Sequence, residues 1–257
     1  MTVTVKRSLH VEHCMGTVFT LDIRDPGQWS EAMHDAVAWL HHADAVFSTY
    51  KDDSDISRIR RGELRVVDAD PDVAVVLGLC AHVQDATGGA FTAIRHGRLD
   101  PTGLVKGWAI ERASRILHEH GARNHAVNGG GDMQLRGEAA PGTPWAVGIA
   151  DPHDRRQVLT VVRGRDLAVA TSGSAERGAH IIDPFTALPA TNLASATVLG
   201  PSLTLADAYA TAAVVLDQGA LAWIESLPGY EALLVTADGH RRASTGWHHH
   251  VDPDNTR

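Results

Sequence analysis

Apolar residues at positions 33, 37, 40, 43, 46 and 47 fall on one face of a helix and predict a helix over residues 30–47. Asp70-Pro71 reads as an N-cap followed by proline at the first helical position. That second helix runs to about residue 86 and stops at Gly88-Gly89. A third covers about 104–120 and ends on Gly121, a C-cap signal. The apolar run 206–216 and the short segment 221–226 give two more. Strict alternation at 18–23, broken by Pro26-Gly27, predicts a strand. Short apolar runs at 125–127, 133–136, 145–149, 158–162, 167–170 and 231–236 read as further strands. Helices and strands segregate instead of alternating. The pattern therefore predicts a single α+β domain, with mixed or antiparallel sheets packed against helices. The domain covers residues 1–247, and residues 248–257 form a histidine-containing tail.

Composition narrows the function. The formal net charge of −8 argues against a nucleic-acid backbone as partner, and the six tryptophans form no stacking stripe. No stretch approaches the roughly 18 apolar residues of a membrane span. The first 15 residues contain no apolar core of a signal peptide. Two cysteines make no disulfide framework, and Cys80, in the run Val75-Val76-Leu77-Gly78-Leu79-Cys80, reads as a core thiol. Together these features predict a cytoplasmic protein.

Five segments carry candidate chemistry. Asn128-Gly129-Gly130-Gly131-Asp132 follows a strand and precedes another, so it is not a dinucleotide-binding fingerprint; it reads as a tight turn or a site of close backbone approach. Asp100-Pro101-Thr102-Gly103-Leu104-Val105-Lys106 leads into a helix, with Lys106 in its first turn, and suits either an anion or an ordinary Asx turn. Thr171-Ser172-Gly173-Ser174 reads as a hydroxyl-rich loop after a strand. His180-Ile181-Ile182-Asp183-Pro184 offers a histidine for acid–base work beside an Asp-Pro turn. Asp207 and Thr211, four apart in an apolar segment, place a carboxylate and a hydroxyl on one helix face. A buried carboxylate needs a partner, and oxygen donors of this kind suit Mg²⁺. Asp207 as a helix N-cap is the alternative.

In order along the chain, these segments resemble the FAD:protein FMN transferases, the ApbE-like flavin transferases. The matching blocks are Met15-Gly16-Thr17, Phe47-Ser48-Thr49-Tyr50 with Ser54 to Arg58, Gly88 to Phe91, Asp100 to Gly107, Asn128 to Asp132, Thr171 to Gly173, His180 to Pro184 with Pro189, and Asp207 to Thr211. The resemblance implies that FAD binds with Mg²⁺ across its pyrophosphate. A Thr or Ser hydroxyl of an acceptor protein, carrying a motif of the type Asp-Gly-x-Ser-Gly-Ala-Thr, attacks the FMN phosphorus and AMP leaves. It also implies site roles. Asp207, Thr211 and the Gly103 carbonyl match the metal ligands, and His180 the group that takes or orients the acceptor proton. Met15, Tyr50, Ala90, Phe91, Thr92, Asp100, Lys106 and Ile181 match flavin-contacting positions, with Tyr50 and Phe91 as stacking surface.

The chain departs from the family pattern at Phe91-Thr92-Ala93-Ile94, where Phe-Asp-Pro-Thr is usual, and the segment from there to Asp100 is short. Arg60 stands where an Asn is customary, and Ala187 where a Gly is. Two other outcomes at the same site are therefore a Mg²⁺-dependent FAD pyrophosphatase and a non-catalytic FAD-binding protein.

Overall fold

The computed structural model describes residues 7–173 and 181–251. Its centre is an eight-stranded sheet whose strands run, in spatial order, Ser8–Cys14, Thr17–Ile23, His125–Gly129, Asp132–Arg136, Ala168–Gly173, Leu193–Gly200, Glu231–Thr236 and Arg241–Ala243, antiparallel at every step. β1 (Ser8–Cys14) and β2 (Thr17–Ile23) are joined by Met15-Gly16, both at positive φ (50° and 69°), the two-residue turn that matches strand twist. Four helices then intervene: α1 (Ser30–Phe47), α2 (Asp55–Arg60), α3 (Pro71–Ala86) and α4 (Thr102–Glu119). A two-stranded hairpin, β3 (Ile94–Arg95) and β4 (Arg98–Leu99), lies between α3 and α4. The chain returns through β5 (His125–Gly129) and β6 (Asp132–Arg136), then forms a separate hairpin of β7 (Trp145–Ala150) and β8 (Val158–Gly164). β9 (Ala168–Gly173) and β10 (Leu193–Gly200) rejoin the sheet. Helices α5 (Leu203–Leu216) and α6 (Ala220–Glu225) precede the edge strands β11 (Glu231–Thr236) and β12 (Arg241–Ala243).

Period-two alternation sorts side chains onto the two faces. Val127, Ala168, Ala170, Val198 and Leu234 face the helices, in the larger core with Leu40, Ile110 and Ala210. Their neighbours Ala126, Val169, Leu199 and Leu233 face the other way, against Trp145, Val147, Val162 and Trp247. Trp247 heads a short 3₁₀ turn, and beyond it Val251 bridges Val162 while Arg163 N–H donates to the His250 carbonyl at 2.6 Å.

Local signals explain most boundaries. Asp70 caps α3 by accepting from Asp72 N–H at 2.9 Å, with Pro71 following. α5 begins three residues earlier than the apolar run suggests, because Ser202 caps it and the Glu111 carboxylate takes the Thr204 N–H (2.8 Å) and the hydroxyls of Ser202 and Thr204 (2.7 Å each). α4 begins at Thr102, so Lys106 occupies its second turn, not its first. Residues 171–173 belong to β9 instead of a loop, since they pair with Thr197, Ala196 and Ser195 of β10. β1, β10 and β12 carry no prediction from the sequence. β10 is buried at every position and so shows no alternation, while β12 is exposed throughout. No helix among the described residues is long and apolar enough to cross a membrane.

Candidate functional site

α4 and α5 cross on the helical side of the sheet at Gly107. A Cβ there would lie 2.6 Å from the Leu203 carbonyl oxygen and 2.8 Å from Asp207 Cβ, so the close approach requires glycine. The Gly107 N–H donates to Asp207 Oδ2 at 3.0 Å. Asp207 lies inside α5, in its second turn and only 3 % exposed, which removes the N-cap alternative.

The second carboxylate comes from the sheet. Gly130 and Gly131, at φ 62° and 100°, turn β5 into β6, and a Cβ on Gly130 would press on Thr17 Oγ1 at 2.8 Å. The glycine run is thus a hairpin turn, and it delivers Asp132 into the site. Asp132 is 1 % exposed; its Oδ1 accepts from Thr171 N–H at 3.0 Å, fixing it to β9. Its Oδ2 is buried and makes no hydrogen bond of good geometry, although the Lys106 ammonium lies 2.5 Å away. Lys106 Nζ is also 3.7 Å from Asp207 Oδ1. The Lys106 ammonium therefore stands beside two adjacent buried carboxylates, and Thr211 Oγ1, next to them, shares a hydrogen bond with Ser172 Oγ at 3.1 Å. Burial pushes the Asp207 carboxyl up to about 7, and the neighbouring Asp132 charge adds to the rise; the Lys106 ammonium and the Gly107 N–H oppose it.

Lys106, Ser172, Asp207 and Thr211 form the floor of a cavity of about 970 Å³, with Asp132 behind it, in the size class of cofactor pockets. Met15, Tyr50, Ala90, Phe91, Thr92, Asp100, Gly103, Lys106, Ile181, Asp207 and Thr211 all line it. The structure thus brings together every site residue predicted from the sequence except His180, which lies outside the described residues. Their surroundings differ. Phe91 is buried against Gly103, where a Cβ would meet its ring at 3.3 Å. Tyr50, at 96 % exposure, stands at the mouth. Asp100 Oδ1 accepts from Thr102 N–H (3.2 Å) and Thr102 Oγ1 (2.6 Å), the Asx turn that opens α4, and Oδ2 pairs with Arg60 at 3.5 Å. Met15 holds its positive φ at the β1–β2 tip, on the cavity wall. Thr92 Oγ1 accepts from Ile94 N–H at 3.1 Å where the chain turns into the β3–β4 hairpin, which fills the short segment before Asp100. Asp183 closes the Asp-Pro turn by accepting from Phe185 N–H (2.8 Å) and the Thr186 hydroxyl (2.9 Å). Ala187 stands there at φ 59°, a conformation suited to glycine.

Sequence reading gives Asp132 no role of its own. Nothing in its spacing from Lys106 or Asp207 reports their contact, which arises only when β6 pairs with β9 beneath α4. Two helix histidines stand at the surface beside carboxylates, away from the cavity: His42 Nε2 lies 3.3 Å from Asp70 and 3.6 Å from Asp72, and His120 Nε2 lies 2.9 Å from Asp35.

The model of the ApbE family matches residues 15–96 and 92–234. The chain belongs to the ApbE family. It is 36 % identical over 168 residues to the FAD:protein FMN transferase of Treponema pallidum, covering 58 % of this chain and 46 % of that one. With the Rhodobacter capsulatus FAD:protein FMN transferase it shares 30 % identity over 229 residues, covering 85 % of this chain and 41 % of that one. The chain thus spans less than half the length of these two curated relatives. Among solved structures, the flavin transferase ApbE from Vibrio cholerae superposes with a TM-score of 0.83 at 21 % identity, covering 96 % of this chain and 99 % of that one. The ApbE protein of Thermotoga maritima gives 0.85 at 21 % identity, with 96 % and 100 % covered. At this identity the superpositions establish the fold: α+β, as the pattern of elements predicts, and ApbE-like, as the resemblance implies.

Proposed function

We propose that this ApbE-family chain transfers FMN from FAD to a Thr or Ser hydroxyl of an acceptor protein, with Mg²⁺ as cofactor and AMP as the second product. The observation that carries the reading is the floor of the cavity, where Asp207 and Thr211, with Asp132 just behind them, gather oxygen donors around the Lys106 ammonium. Buried carboxylates keep their charge only with cations beside them. The donor set fits a hard divalent cation. Asp207 and Thr211 would hold it, together with the Gly103 carbonyl. When bound, Mg²⁺ neutralises the charge of the FAD pyrophosphate.

The other residues bind and orient. Phosphoryl transfer depends mainly on positioning and charge compensation. Tyr50 and Phe91 flank the flavin; Met15, Ala90, Thr92, Asp100 and Ile181 shape its walls. Lys106 places positive charge where the pyrophosphate lies. His180 takes or orients the proton of the acceptor hydroxyl as its oxygen attacks the FMN phosphorus, and the bond to the AMP phosphate breaks. The free thiols of Cys14 and Cys80 accord with a reducing, cytoplasmic setting.

The test combines the protein with FAD, Mg²⁺ and a small acceptor domain bearing an Asp-Gly-x-Ser-Gly-Ala-Thr type motif, reading intact mass and AMP together. One FMN added per acceptor, blocked by EDTA, is the expected result. AMP release without acceptor modification would replace transfer by hydrolysis, and bound FAD without AMP would leave a flavin-binding protein.

A further inference from the structure

We propose that Lys106 is an internal counter-ion to the two buried carboxylates, and that Asp132 is the positioning residue that holds its ammonium off Asp207, leaving that carboxylate to a divalent cation. This rests on the cation reading above and adds a role for two residues of this chain. The geometry separates fixed parts from a movable one. Asp132 is held by the Thr171 N–H at Oδ1, and Asp207 by the Gly107 N–H at Oδ2. Both are buried in packed elements. The ammonium beside them rides on a flexible four-carbon stem and is about a quarter exposed.

The two distances are unequal in the useful direction. Nζ lies 2.5 Å from Asp132 Oδ2 but 3.7 Å from Asp207 Oδ1, beyond hydrogen-bond range. Asp132 already holds the lysine off the oxygen that a cation needs. Its Oδ2 is buried beside the Asp207 carboxyl, and the ammonium is the cation that offsets the two charges. Without Asp132's charge, Lys106 falls onto Asp207 and competes directly with the metal. Without Lys106, two buried carboxylates face each other with no cation beside them, and a divalent ion is drawn in.

Calorimetry and electron paramagnetic resonance of Mn²⁺ binding to the full chain, without FAD and at one pH, test this. Lys106→Met is expected to bind Mn²⁺ about tenfold or more tightly than the parent, and Asp132→Asn about tenfold or more weakly. A Coulombic loss at Asp132 alone predicts the same second change, so the cycle decides. In the Lys106→Met background, Asp132→Asn is expected to cost less than about threefold, because no lysine remains to relocate. An equal cost in both backgrounds, or unchanged or weaker binding by Lys106→Met, overturns the proposal. Should Asp132→Asn fail to fold by circular dichroism, the direction of the Lys106→Met change decides alone. A parent protein that binds no Mn²⁺, with or without FAD, overturns the cation reading itself.

Discussion

At the floor of the cavity the functional groups are almost out of water: Asp207 is 3 % exposed and Asp132, just behind it, 1 %, each tied to a backbone N–H of a neighbouring element. At the mouth, Tyr50 is 96 % exposed and Phe185 65 %, with surroundings that constrain them little. The floor stores electrostatic energy in fixed carboxylates before any ligand arrives, which is the preorganisation that charge stabilisation requires. The mouth offers ring surface whose burial is gained only on binding. Substitutions at the floor should therefore act on chemistry and folding, and substitutions at the mouth on affinity alone.

The largest expected effect is at Asp207. Asp207→Asn keeps the shape of the side chain and removes the charge, so FMN transfer should fall by about a thousandfold or more. Thermal stability should hold or rise, since a carboxyl whose charged form is penalised by burial is replaced by a neutral amide. Transfer assayed by acceptor mass alongside a thermal melt checks both. Near-parental transfer would break the distinction between floor and mouth. Next comes Gly107→Ala. Its Cβ would press on the Leu203 carbonyl and on Asp207, so α4 and α5 must separate. A loss of about 1–3 kcal/mol in denaturant unfolding is expected, with transfer reduced alongside it because Asp207 moves.

How far the site was legible in the sequence follows the same division. Asp207 and Thr211 could be paired because both lie on one helix, where four-residue spacing fixes a shared face. The α1 and α3 boundaries were legible because amphipathic period and capping chemistry agree there. The Lys106–Asp132 pair was not, because sheet registry alone brings β6 under α4, and registry leaves no local mark. β10 was passed over for a related reason: Ala194, Ser195, Ala196 and Thr197 are small and buried on both faces, so neither alternation nor bulk betrays a strand. The start of α5 was misplaced because its cap partner, Glu111, lies 91 residues before Ser202.

A third buried ionisable group lies away from the cavity and sharpens the comparison. His125, at the start of β5, shares a hydrogen bond with Ser114 Oγ at 2.8 Å and another with the Ala122 carbonyl at 3.2 Å. Burial pushes its imidazole down to about 4. The unfolded chain then binds the proton first, so stability is fully present above about 6.5 and is lost as pH falls towards 4. The shift corresponds to about 3 kcal/mol at the acid end. His125→Gln should flatten that limb of a stability–pH curve measured between pH 4 and 7, while leaving transfer at neutral pH within about twofold. A fall in transfer would mean that burial alone, and not the cavity floor, marks the functional carboxylates.

The smallest expected effect is at Tyr50, and it tests the mouth directly. Nearly all of the ring is in water, so Tyr50→Ala removes little native packing, and the unfolding midpoint should move by no more than about 0.5 kcal/mol. If the ring covers the flavin in the complex, binding loses one aromatic contact, roughly 1–2 kcal/mol or about five- to thirtyfold in KM for FAD. Tyr50→Phe retains the ring and should restore most of the affinity, whereas a lost hydrogen bond would leave Phe and Ala alike. Because the chemistry is assembled at the floor, kcat should stay within about threefold for both variants. A large fall in kcat with KM unchanged would show instead that the exposed ring acts on the reacting phosphate, and that the cavity's two ends do not divide binding from chemistry.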